Sequence, residues 1–169
     1  MSGDAGEQQD ATGNGGDSGG ADPDRDPAEI VDEIQRPVLL FDGVCNLCNR
    51  SLRLLVKFDH AGHFRFAPLQ SPVGRELLTR HGLEPDYFDS IVLIDGDDYY
   101  TKSEAALRVC RELDGPLPLL YALIAVPEGV RDRVYDFVGD HRYQVFGKKE
   151  ECPVPNAELR QRFLERSLD

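Results

Sequence analysis

The run Pro37 to Phe41 (PVLLF) is halted by Asp42-Gly43 and followed by an amphipathic stretch opening on Cys45-Asn46-Leu47-Cys48. This succession limits the fold more than any other feature of the chain. A short apolar run without polar alternation reads as a strand buried on both faces, the habit of strands inside an α/β sheet. Behind it, Leu47, Ser51, Leu52, Leu55, Val56 and Phe58 fall near 3.6-residue spacing, with Asn49, Arg50, Arg53 and Lys57 on the other faces. His63 to Ala67 (HFRFA) alternates as a half-buried strand should. Pro72 to Arg80 is a second, shorter helix closed by Gly82. Ile91 to Ile94, the turn Asp95-Gly96-Asp97-Asp98 and Tyr99 to Lys102 form a hairpin. Ser103 and Glu104 then open a third helix with Ala106, Leu107, Val109, Cys110 and Leu113 on its apolar side.

The predicted order over 37–113 is β-α-β-α-β-β-α, an α/β arrangement with a parallel pair and an antiparallel edge. Residues 117–169 read as helices: an apolar stretch to Val126, a second from Pro127 to about Gly139, and a last from Asn156 to Leu168. Tyr135, Phe137, Tyr143 and Phe146 are expected to pack this part onto the sheet. The expected organisation is a disordered acidic tail over 1–35, a core over 36–113 and a helical C-terminal extension over 114–169.

Charge supports that division. Of the formal net charge of -12, residues 1–35 carry -9, with ten acids against Arg25 alone, and the rest of the 169 residues only -3. Residues 1–27 contain no Leu, Ile, Val or aromatic side chain, too little apolar surface to offset the entropy of ordering. The tail has neither the basic nor the apolar region of a secretory signal. The sign of the charge argues against phosphate-dependent binding of nucleic acid and against docking on anionic lipid. The longest nearly apolar run, Pro116 to Pro127, is twelve residues with three prolines, shorter than the roughly 20 of a spanning helix. These features predict a cytoplasmic protein. Asp outnumbers Glu, and only Lys57, Lys102, Lys148 and Lys149 are lysines, a usage shared by salt-adapted proteins and by GC-rich genomes with an acidic tail.

Four cysteines are too few for a disulfide scaffold. In a reducing compartment a close pair is more often catalytic or metal-binding. Cys45 and Cys48 are expected in the first turn of a helix, where free N–H groups and the helix dipole favour a thiolate. Spacing of i and i+3 brings their sulfurs within disulfide reach. Cys45 is expected at the exposed helix mouth as nucleophile, and Cys48 facing inward as the thiol that resolves the mixed disulfide. The same spacing is half of a zinc site, with Cys110, Cys152, His141, His60 and His63 as the remaining candidates. None of these supplies a second close pair. A third reading keeps the two cysteines as helix packing without turnover, in a non-enzymatic interaction domain.

Asp42-Gly43-Val44-Cys45-Asn46-Leu47-Cys48 resembles the D-G-x-C-x-x-C signature of the DCC family of thiol-disulfide oxidoreductase-like proteins, thioredoxin-like by fold. Phe66 to Gln70, Asp89 to Leu93, Tyr100 to Leu107 and Pro127 to Gly147 resemble further parts of that family, as does Cys152. The resemblance spans about residues 37–165. It implies a thioredoxin-like β-α-β-α-β-β-α sandwich with a helical C-terminal extension, acting in dithiol–disulfide exchange without a bound cofactor. The partners would be an unidentified thiol or disulfide substrate and a cellular thiol donor of electrons. Two departures from thioredoxins stand out. Asp89-Ser90 occupies the place of the cis-proline before the third strand, and Val44 stands where an aromatic residue usually precedes the cysteines.

Asp42 has two compatible roles, a cap for the Cys45 turn or a carboxylate relaying a proton at Cys48. Arg142 and His141 could bring positive charge near the sulfurs or form a surface pair. Cys152 is a third redox thiol or a free surface cysteine, and Cys110 a small core residue.

Overall fold

The computed structural model describes residues 26–147 and 162–164. In chain order the elements are α1 (Pro27–Asp32), β1 (Val38–Phe41), α2 (Asn46–Phe58), β2 (Arg65–Pro68), α3 (Pro72–Arg80), β3 (Val92–Asp95), β4 (Asp98–Thr101), α4 (Lys102–Arg111), a 3₁₀ segment (Leu117–Ala125) and α5 (Glu128–Phe146). The sheet order is β2-β1-β3-β4. β1 runs parallel to β2, with Leu39 opposite Phe66, and antiparallel to β3, with Leu39 opposite Leu93. The antiparallel β3–β4 hairpin turns on two residues, Gly96-Asp97, with Gly96 at φ +63. This is the mixed α/β arrangement expected, consistent with a thioredoxin-like fold.

All four residues of β1 are buried because both faces of the sheet are covered. Leu39, Phe41, Phe66 and Leu93 meet α2 and α4 through Leu52, Leu55 and Val109. Val38, Leu40, Ala67 and Ile94 face the other way, onto α1 and α3 through Ile30, Val73 and Leu77. α3 lies so close to the end of β2 that a Cβ on Gly74 would fall 2.2 Å from the Pro68 carbonyl oxygen.

Several expectations need correction. The predicted tail over 1–35 contains α1, capped by Asp26 Oδ1 on the Ala28 N–H at 2.9 Å, and Ile30 is buried in the core. Ten acidic residues spread over the segment mask the short apolar stripe of Ile30, Val31 and Ile34. Residues 1–25 lie outside the described residues. The apolar stretch to Val126 is a 3₁₀ segment, broken up by its prolines, and α5 continues past Gly139 to Phe146. Tyr135 and Tyr143 do pack inward, whereas Phe137 and Phe146 are exposed. Most of the helix expected from Asn156 lies outside the described residues. Where its path is described, Phe163 forms a parallel bridge with Phe66, and Leu164 N–H donates to the Phe66 carbonyl. Arg162 anchors this segment through Asp59 at 2.9 Å, a buried ion pair.

Candidate active site

β1 ends at Phe41, and the chain turns through Asp42-Gly43-Val44 into α2. Cys45 is the N-cap, in extended conformation, and its carbonyl accepts the first helical bond from Asn49 N–H at 3.1 Å. The cysteine pair therefore stands at the helix mouth, as the spacing predicts. The exposures are the reverse of the expectation. Cys45 has no exposed surface, while Cys48, one turn on, is half-buried. The far end of α5 is bonded to the mouth of α2 beside Cys45. Asn46 Nδ2 donates to the Phe146 carbonyl at 2.7 Å, and Asn46 N–H to the Gly147 carbonyl at 3.5 Å.

Cys48 is pushed up to about 12. Burial is the largest cause, followed by the charge of Cys45 and a hydrogen bond with it; Arg142 acts in the opposite direction, and Asp42 adds to the rise. The two thiols are thus in direct interaction, and Arg142 is the cation facing Cys48.

Asp42 is not the cap of α2. Its Oδ1 accepts from Val44 N–H at 3.1 Å and from Gln70 Nε2 at 2.9 Å. Its Oδ2 accepts from Arg142 Nη2 at 3.3 Å and from the Tyr143 hydroxyl. This buried carboxylate ties the exit of β1 to the exit of β2 and to α5. Burial and the adjacent Asp42 push the Tyr143 hydroxyl up to about 12. Tyr135 is likewise pushed up to about 12 by burial, and its hydroxyl accepts the backbone N–H of Ile91 just before β3. Ser90, at the position compared with the thioredoxin proline, is buried and accepts from Lys102 N–H at 3.3 Å.

Of the auxiliary candidates, Arg142 is at the site, buried and paired with Asp42. His141 is exposed, with Nδ1 2.8 Å from the Phe137 carbonyl and its ring against Phe137. Successive residues on a helix face different ways, so the two could not both serve. Cys152 lies outside the described residues. Among the described residues, no three His, Cys, Asp or Glu side chains gather as a metal cluster. Sequence reasoning missed Gln70 and the inward role of the Tyr143 hydroxyl. Gln70 had a signal: β2 runs parallel to β1, so the residues just beyond both strands meet.

The fold and the cysteine pair together define a class, an α/β protein with a C-x-x-C dithiol at a helix mouth. Residues 39–148 match the model of the DCC1-like thiol-disulfide oxidoreductases, and the chain belongs to that family. It is 48% identical over 133 residues to the Bacillus subtilis protein YuxK, covering 79% of this chain and 97% of YuxK. It is 40% identical over 131 residues to an Arabidopsis thaliana DCC family protein described as chloroplastic, covering 77% of this chain and 76% of that one. No solved structure matches the chain significantly.

Proposed function

We propose that the protein exchanges dithiol for disulfide through Cys45 and Cys48. The observation that carries this reading is the placing of the two thiols at the mouth of α2, Cys45 at the N-cap and Cys48 one turn on, near enough for Cys45 to add to the rise that burial causes at Cys48. Cys45 makes the attack: its sulfur bonds to one sulfur of a substrate disulfide, the substrate S–S bond breaks, and the leaving sulfur takes up a proton. Cys48 then loses its proton and attacks the Cys45 sulfur, releasing the second substrate sulfur as a thiol. One substrate disulfide becomes two thiols, and the protein dithiol becomes the Cys45–Cys48 disulfide. A cellular thiol donor reverses the change in the protein.

Arg142 supports the second step by opposing the rise at Cys48. Asp42 is a positioning residue, holding Arg142 and Tyr143 at the pair. Because Cys45 is buried, attack requires the mouth of α2 to open locally, and the bonds from Asn46 to the Phe146 and Gly147 carbonyls beside it are the contact we expect to open. No helix among the described residues is long and apolar enough to cross a membrane. We place the protein in the cytoplasm, where low-molecular-weight thiols supply electrons.

The test is to incubate the Cys48→Ser variant with cell extract and map the adducts. A mixed disulfide held at Cys45 is expected. Adducts at Cys110 alone, with Cys45 unmodified after denaturation, would contradict the assignment.

A further inference from the structure

A cavity of 310 Å³ lies behind the cysteine pair, between α2, α4, α5 and the 3₁₀ segment. Its wall is almost wholly apolar, with Leu39, Phe41 and Val109 at the back, and Cys48 and Arg142 lining it beside the site. Leu54 and Val138 line it as well, and they are 52% and 47% exposed, so the space opens to solvent between them.

The small side chains at the wall maintain this volume. Gly139 lies inside the nineteen-residue α5, where glycine is among the poorest helix formers. A Cβ at Gly139 would meet nothing within 4 Å, so no close approach requires the glycine. Ala106 of α4 and Ser51 of α2 are the other short side chains on the wall. An empty apolar space forfeits dispersion contacts, and water has few partners in it. At one place the lining is charged: Arg142 is the one ionic side chain among the described lining residues. A guanidinium beside an apolar space leaves that space short of a hydrogen-bond acceptor. One kind of occupant answers both deficits, an apolar body carrying a single acceptor. The volume falls at the lower end of small-molecule pockets.

We propose that this cavity binds a small aliphatic molecule ending in an acceptor oxygen, a carboxylate or a carbonyl. The chain packs between α2, α4 and α5, and the oxygen accepts from the Arg142 guanidinium at the wall. The site stands independently of the exchange chemistry, though its occupant lies against Cys48.

The experiment is an NMR titration of the full reduced chain with octanoate and, separately, with 2-octanone. Saturable shifts concentrated at Cys48, Val109 and Val138 are expected. Binding of both probes identifies the shared acceptor as the recognised group. Binding of octanoate alone shows that the guanidinium charge is used, and of 2-octanone alone that Asp42 already balances it. Gly139→Leu and Ala106→Leu fill the space from opposite helices. Each should weaken binding at least tenfold while the circular dichroism stays native, and one folded variant suffices. Binding is read on the reduced chain with no disulfide substrate present, so failure of the redox reading leaves this result standing. No saturable shift with either probe, or binding unchanged in both filled variants, overturns the proposal.

Discussion

Asp42 concentrates the site's electrostatics in one residue. Four donors converge on its carboxylate, from Val44, Gln70, Arg142 and Tyr143. Replacing it with Asn leaves the buried Arg142 guanidinium without its counter-ion, a change that costs about 3 kcal/mol when one partner of such a pair is removed. Urea unfolding of Asp42→Asn should show that loss, and a midpoint equal to wild type would contradict the anchoring role. The same substitution removes a charge that raises Cys48, so alkylation of Cys48 should begin at lower pH in the variant. Cys48 also sets an alkaline limit. The folded protein holds its proton more tightly, at about 12 against an ordinary 9.0. The stability this contributes is complete below pH 9 and is lost as pH rises towards 12. Tyr135 and Tyr143, raised from 10.0 to about 12, act in the same direction. Unfolding free energy should therefore fall between pH 9 and 12, and fall less steeply in Cys48→Ala. Equal slopes would mean that the thiol titrates normally.

Among the elements, the decisive contact is the end of α5 on the mouth of α2. Removing one hydrogen bond from it weakens the closed form by about 1 kcal/mol, about a fivefold change in the open population. Asn46→Ala should thus raise the alkylation rate of Cys45 about fivefold in native protein, and an unchanged rate would show that α5 does not gate the thiol. This contact also marks the limit of what the sequence shows. Periodicity located the four strands and the helices after β1, because each buries a face against its neighbours in the sheet. The same periodicity placed Cys45 at a helix start, but it carries no information on what covers that start. Beside it, Asn46 is held by Phe146 and Gly147, about one hundred residues downstream, through backbone carbonyls that no motif records. Along α5, apolar residues suggested packing by Phe137 and Phe146, but the helix docks through Tyr135, Arg142 and Tyr143 instead. Spacing alone does not tell a polar docking face from a solvated one. Arg142 was legible as a candidate only because the residues around it resembled a family.

For the whole molecule, α1 joins the N-terminal side of the described residues to the core. A chain shortened to begin at Asp26 keeps the α1 cap and is the reference for a shorter one. A chain beginning at Arg36 loses the buried Ile30 and the Arg80–Asp32 pair, and should be less stable by about 2 kcal/mol, the scale of one buried aliphatic side chain. Equal melting of these two chains would mean that α1 adds nothing to the core. The central claim, that Cys45 and Cys48 form one redox couple, is tested most directly by a redox titration with thiol counting on wild type and Cys48→Ser. Wild type should pass through a single two-electron transition that consumes two thiols, with the Cys45–Cys48 disulfide recovered by mass spectrometry, and Cys48→Ser should lose that transition. A wild-type protein that retains both thiols at every accessible potential would contradict the account.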